Sequence, residues 1–353
     1  MDILEYFYQN PPKNPKFIDR KTYFNGNKII LQGAINSGKT ALLMQYLEEF
    51  GQDFLYLNLE DIRVDFIPSL NEFIKDKKIK AIGFDGVKND FYPPCKCENI
   101  IISTTSNSFF IDKFTKVKLN GLDYEEFIAF YRKNYEAKTL FSHFLARGNG
   151  AKSAFLQDFE VSEFLQMKIK AYLGEQKAKI LSKIAAQLHQ PFNAHKIYKD
   201  LKEITKISKD NIYHSLSEFQ NENLINFVHH IDEKSSLKRV YFSDFGFKNA
   251  LSYEKDPKKT VANMVFCELL KLENEIFFSD EIDFFIPKKN LAILVIPFLP
   301  PELIFLKFKK SINCYKNLGI TKVEVISNSN SSNIAFEGIR CSVMPFWQWA
   351  VAL

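Results

Sequence analysis

The sequence predicts an α/β chain that opens on a parallel sheet covered on both faces, and three observations predict it. Residues 33–40 read Gly33-Ala34-Ile35-Asn36-Ser37-Gly38-Lys39-Thr40 and fit G-x-x-x-x-G-K-[ST] without a mismatch. An apolar strand, residues 28–32, enters that loop, and a run of good helix formers, residues 41–47, leaves it. Further short apolar runs at 54–59, 79–85, 99–103 and 114–119 are separated by helical stretches, the pattern of buried parallel strands.

The loop chemistry explains the residue order. Glycines let the backbone wrap phosphate oxygens, and successive N–H groups point inward at a helix N-terminus that adds partial positive charge. The spacing therefore assigns nucleotide binding to Gly33, Ala34, Asn36, Ser37, Gly38, Lys39, Thr40 and Ala41. Lys39 reaches the β- and γ-phosphates and the Thr40 hydroxyl ligates Mg²⁺, so ATP and Mg are the cofactors implied. A second Mg²⁺ anchor belongs at the end of another buried strand. Asp85, which closes the 79–85 run 46 residues after Lys39, is either that anchor or a plain strand-end cap. The run 100–106 ends in Ser103-Thr104-Thr105-Ser106, hydroxyls that would face the γ-phosphate. ATPases of this kind carry Glu directly after the aspartate, to polarise the attacking water. Here Gly86 and Val87 follow, and the next acid is Asp90. The sequence thus supports binding of ATP better than fast hydrolysis. No catalytic base is assigned; Asp85 and Glu60 are the candidates. Glu60 and Asp61, after the 54–59 strand, read either as substitute acids on the same rim or as a solvated turn.

Composition sets the outer bounds. The 353 residues are 46 % apolar and 25 % charged, a soluble globular balance, and their number predicts two or three domains. The net charge of +5, from 47 bases and 42 acids, permits nucleic acid as a partner without arguing for it. The start, Met1-Asp2-Ile3-Leu4-Glu5, does not have the form of a signal peptide. The longest apolar run, residues 291–301, has eleven residues and three prolines, too short and broken to span a bilayer. Five cysteines, an odd number, read as free thiols in a reducing compartment, and a cytoplasmic location is expected. Cys95 and Cys97 lack the second Cys or His pair that a metal site needs.

Residues 175–245 read as a winged helix. Ile180, Ile184 and Leu188 stripe a first helix over 176–188, Asn193 caps a second over 194–201, and Ser208 caps a third bearing Ile212, Leu216 and Phe219. Strands at 224–229 and 239–243 form the wing. Candidate DNA contacts are Lys209, Asn211 and His214, with Ser215, on the exposed side of the third helix, and Lys234, Lys238 and Arg239 in the wing. Residues 176–243 hold 11 Lys/Arg against 7 Asp/Glu, a net of +4, which supports phosphate contacts. Asp210, Glu218 and Glu222 on the same helix favour the other reading, a module that packs against protein. Beyond it, a helix at 260–272, strands at 275–278, 281–286 and 291–296, a helix near 302–318 and a strand at 322–327 form a small α/β unit.

With these motifs the chain resembles the bacterial and archaeal AAA-type ATP-binding proteins, in which a P-loop module precedes a winged helix and a restriction-nuclease-like fold. The segments that carry the resemblance are Tyr56-Leu57-Asn58-Leu59-Glu60-Asp61, residues 102–108, Leu122-Asp123-Tyr124-Glu125-Glu126-Phe127, and Lys238-Arg239-Val240-Tyr241-Phe242-Ser243-Asp244-Phe245-Gly246. The resemblance implies an AAA+/ASCE-like sheet of order 5-1-4-3-2 and a sensor role for Thr105. It implies a P-loop ATP-binding domain at 1–135, a helical lid at 136–175, the winged helix at 176–247 and a degenerate nuclease-like domain at 248–353. Three departures stand out. Gly86 replaces the family's Glu. Lys113 stands where the family often has an Arg, and the next Arg is Arg132. Arg147-Gly148-Asn149-Gly150 falls where the family has a Gly-Gly turn, so Arg147 is either a phosphate sensor or a surface-loop residue. The positions of an active nuclease read Ala262, Asp283, Leu294 and Ile296 here, so one carboxylate survives; Glu281, Asp283 and Glu268 would have to improvise a site. The implied function is a nucleotide-dependent switch with slow or partner-stimulated ATP hydrolysis, DNA-associated through the winged helix. The alternative is a protein-interaction scaffold with structural nucleotide. Expected partners are ATP, double-stranded DNA, and a protein or a second copy of the chain, with no membrane.

Overall fold

In the computed structural model, which describes residues 3–12, 17–64, 67, 69–88, 94–131 and 135–353, the apolar runs of the first 122 residues become strands of one sheet. Contacts divide the chain into two units, the first made of Met1–Leu122, Gly150–Lys152 and Glu218–Leu224. It holds α1 (Ile3–Gln9), β1 (Lys28–Gln32), α2 (Lys39–Glu48), β2 (Phe54–Asn58), α3 (Leu70–Lys77), β3 (Ala81–Val87), β4 (Asn99–Thr104) and β5 (Thr115–Lys118). The strand order is β2-β3-β4-β1-β5, with every pair parallel, which is the expected 5-1-4-3-2 order. Both faces are buried along β1 to β4, as continuous apolar strands require, while the edge strand β5 is largely exposed. Leu43, Met44 and Leu47 of α2 cover Ile29, Ala81 and Ile101 on one face. On the other, Leu4 and Phe7 of α1 and Leu70 and Ile74 of α3 pack on Ile30, Ile82 and Ile102. The β3 strand begins and ends two residues later than the apolar run suggests. It continues through Gly86 to Val87, with a register shift against β4 between Phe84 and Val87.

The second unit comprises Asp123–Asn149, Ser153–Ser217 and Ile225–Leu353. Its first helices are α4 (Tyr124–Phe130), α5 (Ala137–Arg147), α6 (Asp158–Ala185), α7 (Ala194–Lys202) and α8 (Lys209–Asn221); the residues of α8 from Glu218 onward group with the first unit. Next come β6 (Ile225–His230), β7 (Lys238–Phe242), α9 (Gly246–Leu251), α10 (Pro257–Leu269), β8 (Phe277–Phe278), β9 (Phe284–Ile286) and β10 (Leu291–Val295). The chain ends in α11 (Pro301–Lys310), α12 (Ile312–Asn317), β11 (Lys322–Ser327), β12 (Ser332–Phe336), β13 (Ile339–Pro345) and α13 (Phe346–Ala352). One eight-stranded sheet of order β12-β13-β11-β10-β9-β8-β6-β7 runs through the unit. The β6–β7 hairpin is antiparallel, and β8 pairs parallel with β6 at His229 and His230, so the hairpin is continuous with the later strands. Ile304 and Phe308 of α11 and Tyr315 of α12 pack on Ala292, Val323, Val325 and Val343.

Local chemistry sets the helix ends. Asp123 and Glu126 form a reciprocal capping box on α4, with Glu126 N donating to Asp123 at 2.7 Å and Asp123 N to Glu126 at 3.1 Å. Asn193 caps α7 through the Lys196 N–H at 3.1 Å, and Ser208 caps α8 through the Asn211 N–H at 3.0 Å. The helix expected from residue 176 is the second half of α6, which breaks at Gly174 with φ 77° and stops at Ala185. The helix expected over 302–318 is interrupted at Ser311. No described helix is long and apolar enough to cross a membrane.

Candidate nucleotide site

The loop after β1 is fixed by its neighbours on the sheet. Gly33 N donates to Thr104 O at 3.1 Å, extending the β1–β4 pairing by one residue. A Cβ on Gly33 would lie 2.3 Å from the Leu119 carbonyl oxygen and 2.9 Å from Ser37 Oγ, so the chain passes there only without a side chain. Asn36 and Gly38 are left-handed, with φ 67° and 96°, and turn the backbone into α2. Thr40 and Ala41 follow in its first turn, the Thr40 side chain exposed. The Lys39 ammonium donates to the carbonyls of Gly33 and Ala34, both at 2.8 Å, and so lies across the mouth of its own loop. Ser37 Oγ is buried with no hydrogen-bond partner among the described residues. Arg20 braces the loop from outside, donating to Ser37 O at 2.7 Å and Asn120 O at 2.9 Å. No motif in the sequence marks Arg20.

Asp85 is buried and held from both flanking strands. The Tyr56 hydroxyl on β2 donates to Oδ2 at 2.8 Å, and the Ser103 hydroxyl on β4 donates to Oδ1. Ser103 Oγ in turn accepts the Gly86 N–H at 3.1 Å. Burial, then the adjacent Asp85 charge, push the Tyr56 hydroxyl far above its ordinary range, so it stays a donor at any working pH. The sequence places the Ser103 hydroxyl toward the γ-phosphate and Tyr56 in a strand motif, and it marks neither as a partner of Asp85. The one available signal is that both are polar residues inside apolar strands, and the sheet order sets those strands on either side of β3.

Gly86 is left-handed with φ 76°, and a Cβ there would lie 2.5 Å from Glu60 Cγ. The space of a side chain at this position is taken by the stem of Glu60, brought alongside by the Leu59 N–H to Asp85 O bond at 2.9 Å. The Glu60 carboxylate pairs with Lys88 at 2.7 Å. Asp61 turns away to Arg63, whose Nε donates to it at 2.8 Å. Thr105 lies half-buried just past β4, and its hydroxyl donates to Glu222, whereas Ser103 is the hydroxyl that meets Asp85. Lys113 is exposed. Asp90 and Arg132 lie outside the described residues.

The remaining candidates belong to the second unit. Lys209, Asn211 and His214 are exposed on α8, and Lys234 is exposed in the turn after β6. Ser215 is buried, its hydroxyl donating back to Asn211 O at 2.7 Å, so it does not share that exposed face. The Lys238 ammonium lies 3.8 Å from the centre of the Phe227 ring, and burial lowers its pKa. The Arg239 guanidinium lies 4.2 Å from the Phe278 ring centre and 3.4 Å from Asp283, committed inside the unit. Arg147, too, is buried and not on a loop surface. Its Nε donates to Asp158 at 2.5 Å and its Nη1 to the Tyr131 hydroxyl, because a guanidinium that cannot discharge must be paired where it is buried.

Asp283 is likewise committed. It accepts the Val295 N–H at 2.8 Å and faces His189 Nε2 at 3.2 Å. Burial alone would raise its carboxyl; the His189 hydrogen bond and charge outweigh it, and the group is held well below the usual carboxylate range. Glu268 accepts the Tyr124 N–H at 2.7 Å, and burial pushes its carboxyl up to about 8. Glu281 accepts from Ser279 and Cys314. The three acids do not meet, and among the described residues no group of three or more His, Cys, Asp or Glu could hold a metal ion.

No family model matches the chain, and no curated protein matches it. Solved structures do. A Walker-type ATPase of Pyrococcus abyssi is 14 % identical over 64 % of this chain and 91 % of its own, with a TM-score of 0.44. A signal transduction ATPase with numerous domains and a tetratricopeptide repeat sensor, from Pyrococcus horikoshii, is 16 % identical over 74 % of this chain, with a TM-score of 0.31; the match spans 46 % of that protein. The Aeropyrum pernix ORC1 protein in complex with DNA is 12 % identical over 65 % of this chain and 87 % of its own, with a TM-score of 0.29.

Proposed function

We propose that this chain binds ATP with Mg²⁺ at the loop 33–40 and uses it as a slow, nucleotide-dependent switch. One arrangement carries the proposal: a glycine-lined loop with Lys39 at its mouth, on the same sheet as a buried carboxylate, Asp85, gripped by two hydroxyls. The residues present fit a phosphate chain and its metal. Left-handed Asn36 and Gly38 turn the loop backbone into the helix, Ser37 brings a buried hydroxyl with no hydrogen-bond partner among the described residues, and Asp85 and Thr40 supply oxygen donors of the kind Mg²⁺ takes. Bound Mg²⁺ would neutralise charge on the phosphates. Lys39 would trade its two carbonyls for phosphate oxygens.

Lys39→Ala removes the one cation of the loop. Affinity for Mg-ATP is expected to fall by about 2 kcal/mol or more, roughly 30-fold, as for charge-assisted hydrogen bonds. Titration calorimetry reads it, and unchanged affinity removes the P-loop reading. Asp85→Asn is expected to weaken binding more in Mg²⁺ than in EDTA. An equal loss in both would make Asp85 structural.

Around this site we assign an ATP-binding domain at 1–135, a helical lid at 136–175, a winged helix at 176–247 and a degenerate nuclease-like domain at 248–353. Exposed Lys209, Asn211, His214 and Lys234 favour a second reading, association with double-stranded DNA through α8 and the β6–β7 turn. Lys238 and Arg239 drop out of that contact set, since their charges are engaged within their own unit. The commitment of Asp283 to His189 and Arg239 supports a last domain that does not cleave. Duplex binding by the full chain that weakens steeply with salt supports the DNA reading; salt-insensitive or absent binding favours a protein scaffold, with a protein partner or second copy as the occupant.

A further inference from the structure

We propose that the segment Glu218–Leu224 reads the state of the nucleotide site, with Glu222 as a positioning residue for Thr105; this rests on the nucleotide reading above. The inference comes from the short loop 105–108, which is hydrogen-bonded on two sides. On one side stand the residues of the site. Gln32, the residue before the phosphate loop, donates through Nε2 to Ser106 O at 3.0 Å, and the Thr104 hydroxyl donates to Val87 O at 2.8 Å. Ser103, two residues before Thr105, holds Asp85.

On the other side stands a segment more than a hundred residues downstream. Asn107 N donates to Asn221 O at 2.7 Å, and Asn107 Nδ2 to Gln220 O at 3.0 Å. Ser108 N donates to Asn221 Oδ1 at 3.0 Å, and Asn221 Nδ2 to Ser106 Oγ at 3.2 Å. Asn223 Nδ2 donates to Thr105 O at 2.8 Å, and the Thr105 hydroxyl donates to Glu222. Asn223 is left-handed with φ 57°, a conformation Asn tolerates, and it aims its amide back at the loop. All of these residues belong to the first unit.

The chemistry makes the loop a relay. The Asp85 oxygens that accept from Tyr56 and Ser103 are the ones that would hold Mg²⁺, so loading the site would draw on those two hydrogen bonds. Ser103 leads straight into the loop, and a loop pinned on both sides cannot absorb a shift on one without changing the bonds on the other. The coupling is reciprocal: nucleotide changes the order of the 218–224 segment, and that segment changes nucleotide affinity.

Amide hydrogen exchange of the full chain tests this, with and without saturating Mg-ATPγS, with binding confirmed by calorimetry. The Asn107 and Ser108 amides, both bonded to Asn221, report the clamp directly. In the wild type, exchange in peptides covering 105–108 and 218–224 is expected to change by at least about tenfold on saturation. Glu222→Ala is expected to shrink the change at 218–224 to about threefold or less at saturation, and Glu222→Gln, whose amide oxygen still accepts from Thr105, to restore it. A merely structural Glu222 would lower the melting temperature and leave the nucleotide response intact. If nucleotide binds and exchange at 218–224 does not respond, or if Glu222→Ala keeps the full response, the relay is overturned. If calorimetry shows no binding, the nucleotide reading falls first and the relay with it.

Discussion

The full chain is expected to turn over ATP far below the enzyme median of roughly 10 s⁻¹, and Gly86→Glu is expected not to accelerate it. In the ATPases that the sequence resembles, the residue after the strand-end aspartate polarises the attacking water. Here it is a left-handed glycine, with Glu60 Cγ 2.5 Å from where a Cβ would stand. A general base and a preorganised charge are each worth about 10²–10⁴-fold, so the loss of even one leaves a slow enzyme. Inserting Glu at position 86 forces an L side chain into φ 76° and against Glu60. That strain costs of order 1–3 kcal/mol. It also gives no reason for the new carboxylate to face phosphate. Steady-state phosphate release and thermal melting read both effects. A fast wild type would mean that another acid serves, and Glu60 is the one beside Asp85; Glu60→Gln would then abolish turnover.

Asp283→Asn is expected to destabilise the second unit by about 3–5 kcal/mol, the usual cost of removing one partner of a buried charge pair. The substitution leaves His189 and the Arg239 guanidinium buried beside a neutral amide. The pH dependence has a definite sign. The folded-state carboxyl is held below its unfolded value, so its contribution is present above about pH 3.9 and is lost as pH falls through the folded value. Urea melts at pH 7 and pH 3 measure this. The gap between wild type and Asp283→Asn should narrow at the lower pH, and a constant gap would show that the carboxylate charge contributes nothing.

Much of the first unit was legible because strand order follows from chemistry. The G-x-x-x-x-G-K-[ST] loop demands a strand before and a helix after, and a carboxylate on a second parallel strand. The chain supplies these as β1, α2 and Asp85. What surrounds Asp85 was not legible, since Tyr56 and Ser103 become partners only through the register of β2 and β4 on β3. The Gly86 conformation was hidden for the same reason: sequence gives the residue but not the register shift that turns it left-handed. The sequence reads Arg147 as either a phosphate sensor or a surface-loop residue, and Arg239 as an exposed wing base. Both are buried against carboxylates, Asp158 and Asp283, that lie 11 and 44 residues away in sequence. The β12–β13 hairpin and α13 carry no motif; β13 pairs parallel with β11 and buries Ile339, Cys341 and Val343.

Nucleotide at the loop 33–40 is most directly tested on purified full chain and the Lys39→Ala variant, dialysed free of nucleotide and titrated with ATP in Mg²⁺ and in EDTA. Wild type is expected to bind one ATP per chain, more tightly in Mg²⁺, and Lys39→Ala to lose about 30-fold or more. Absence of saturable binding in the wild type, or equal affinity in the variant, would contradict it.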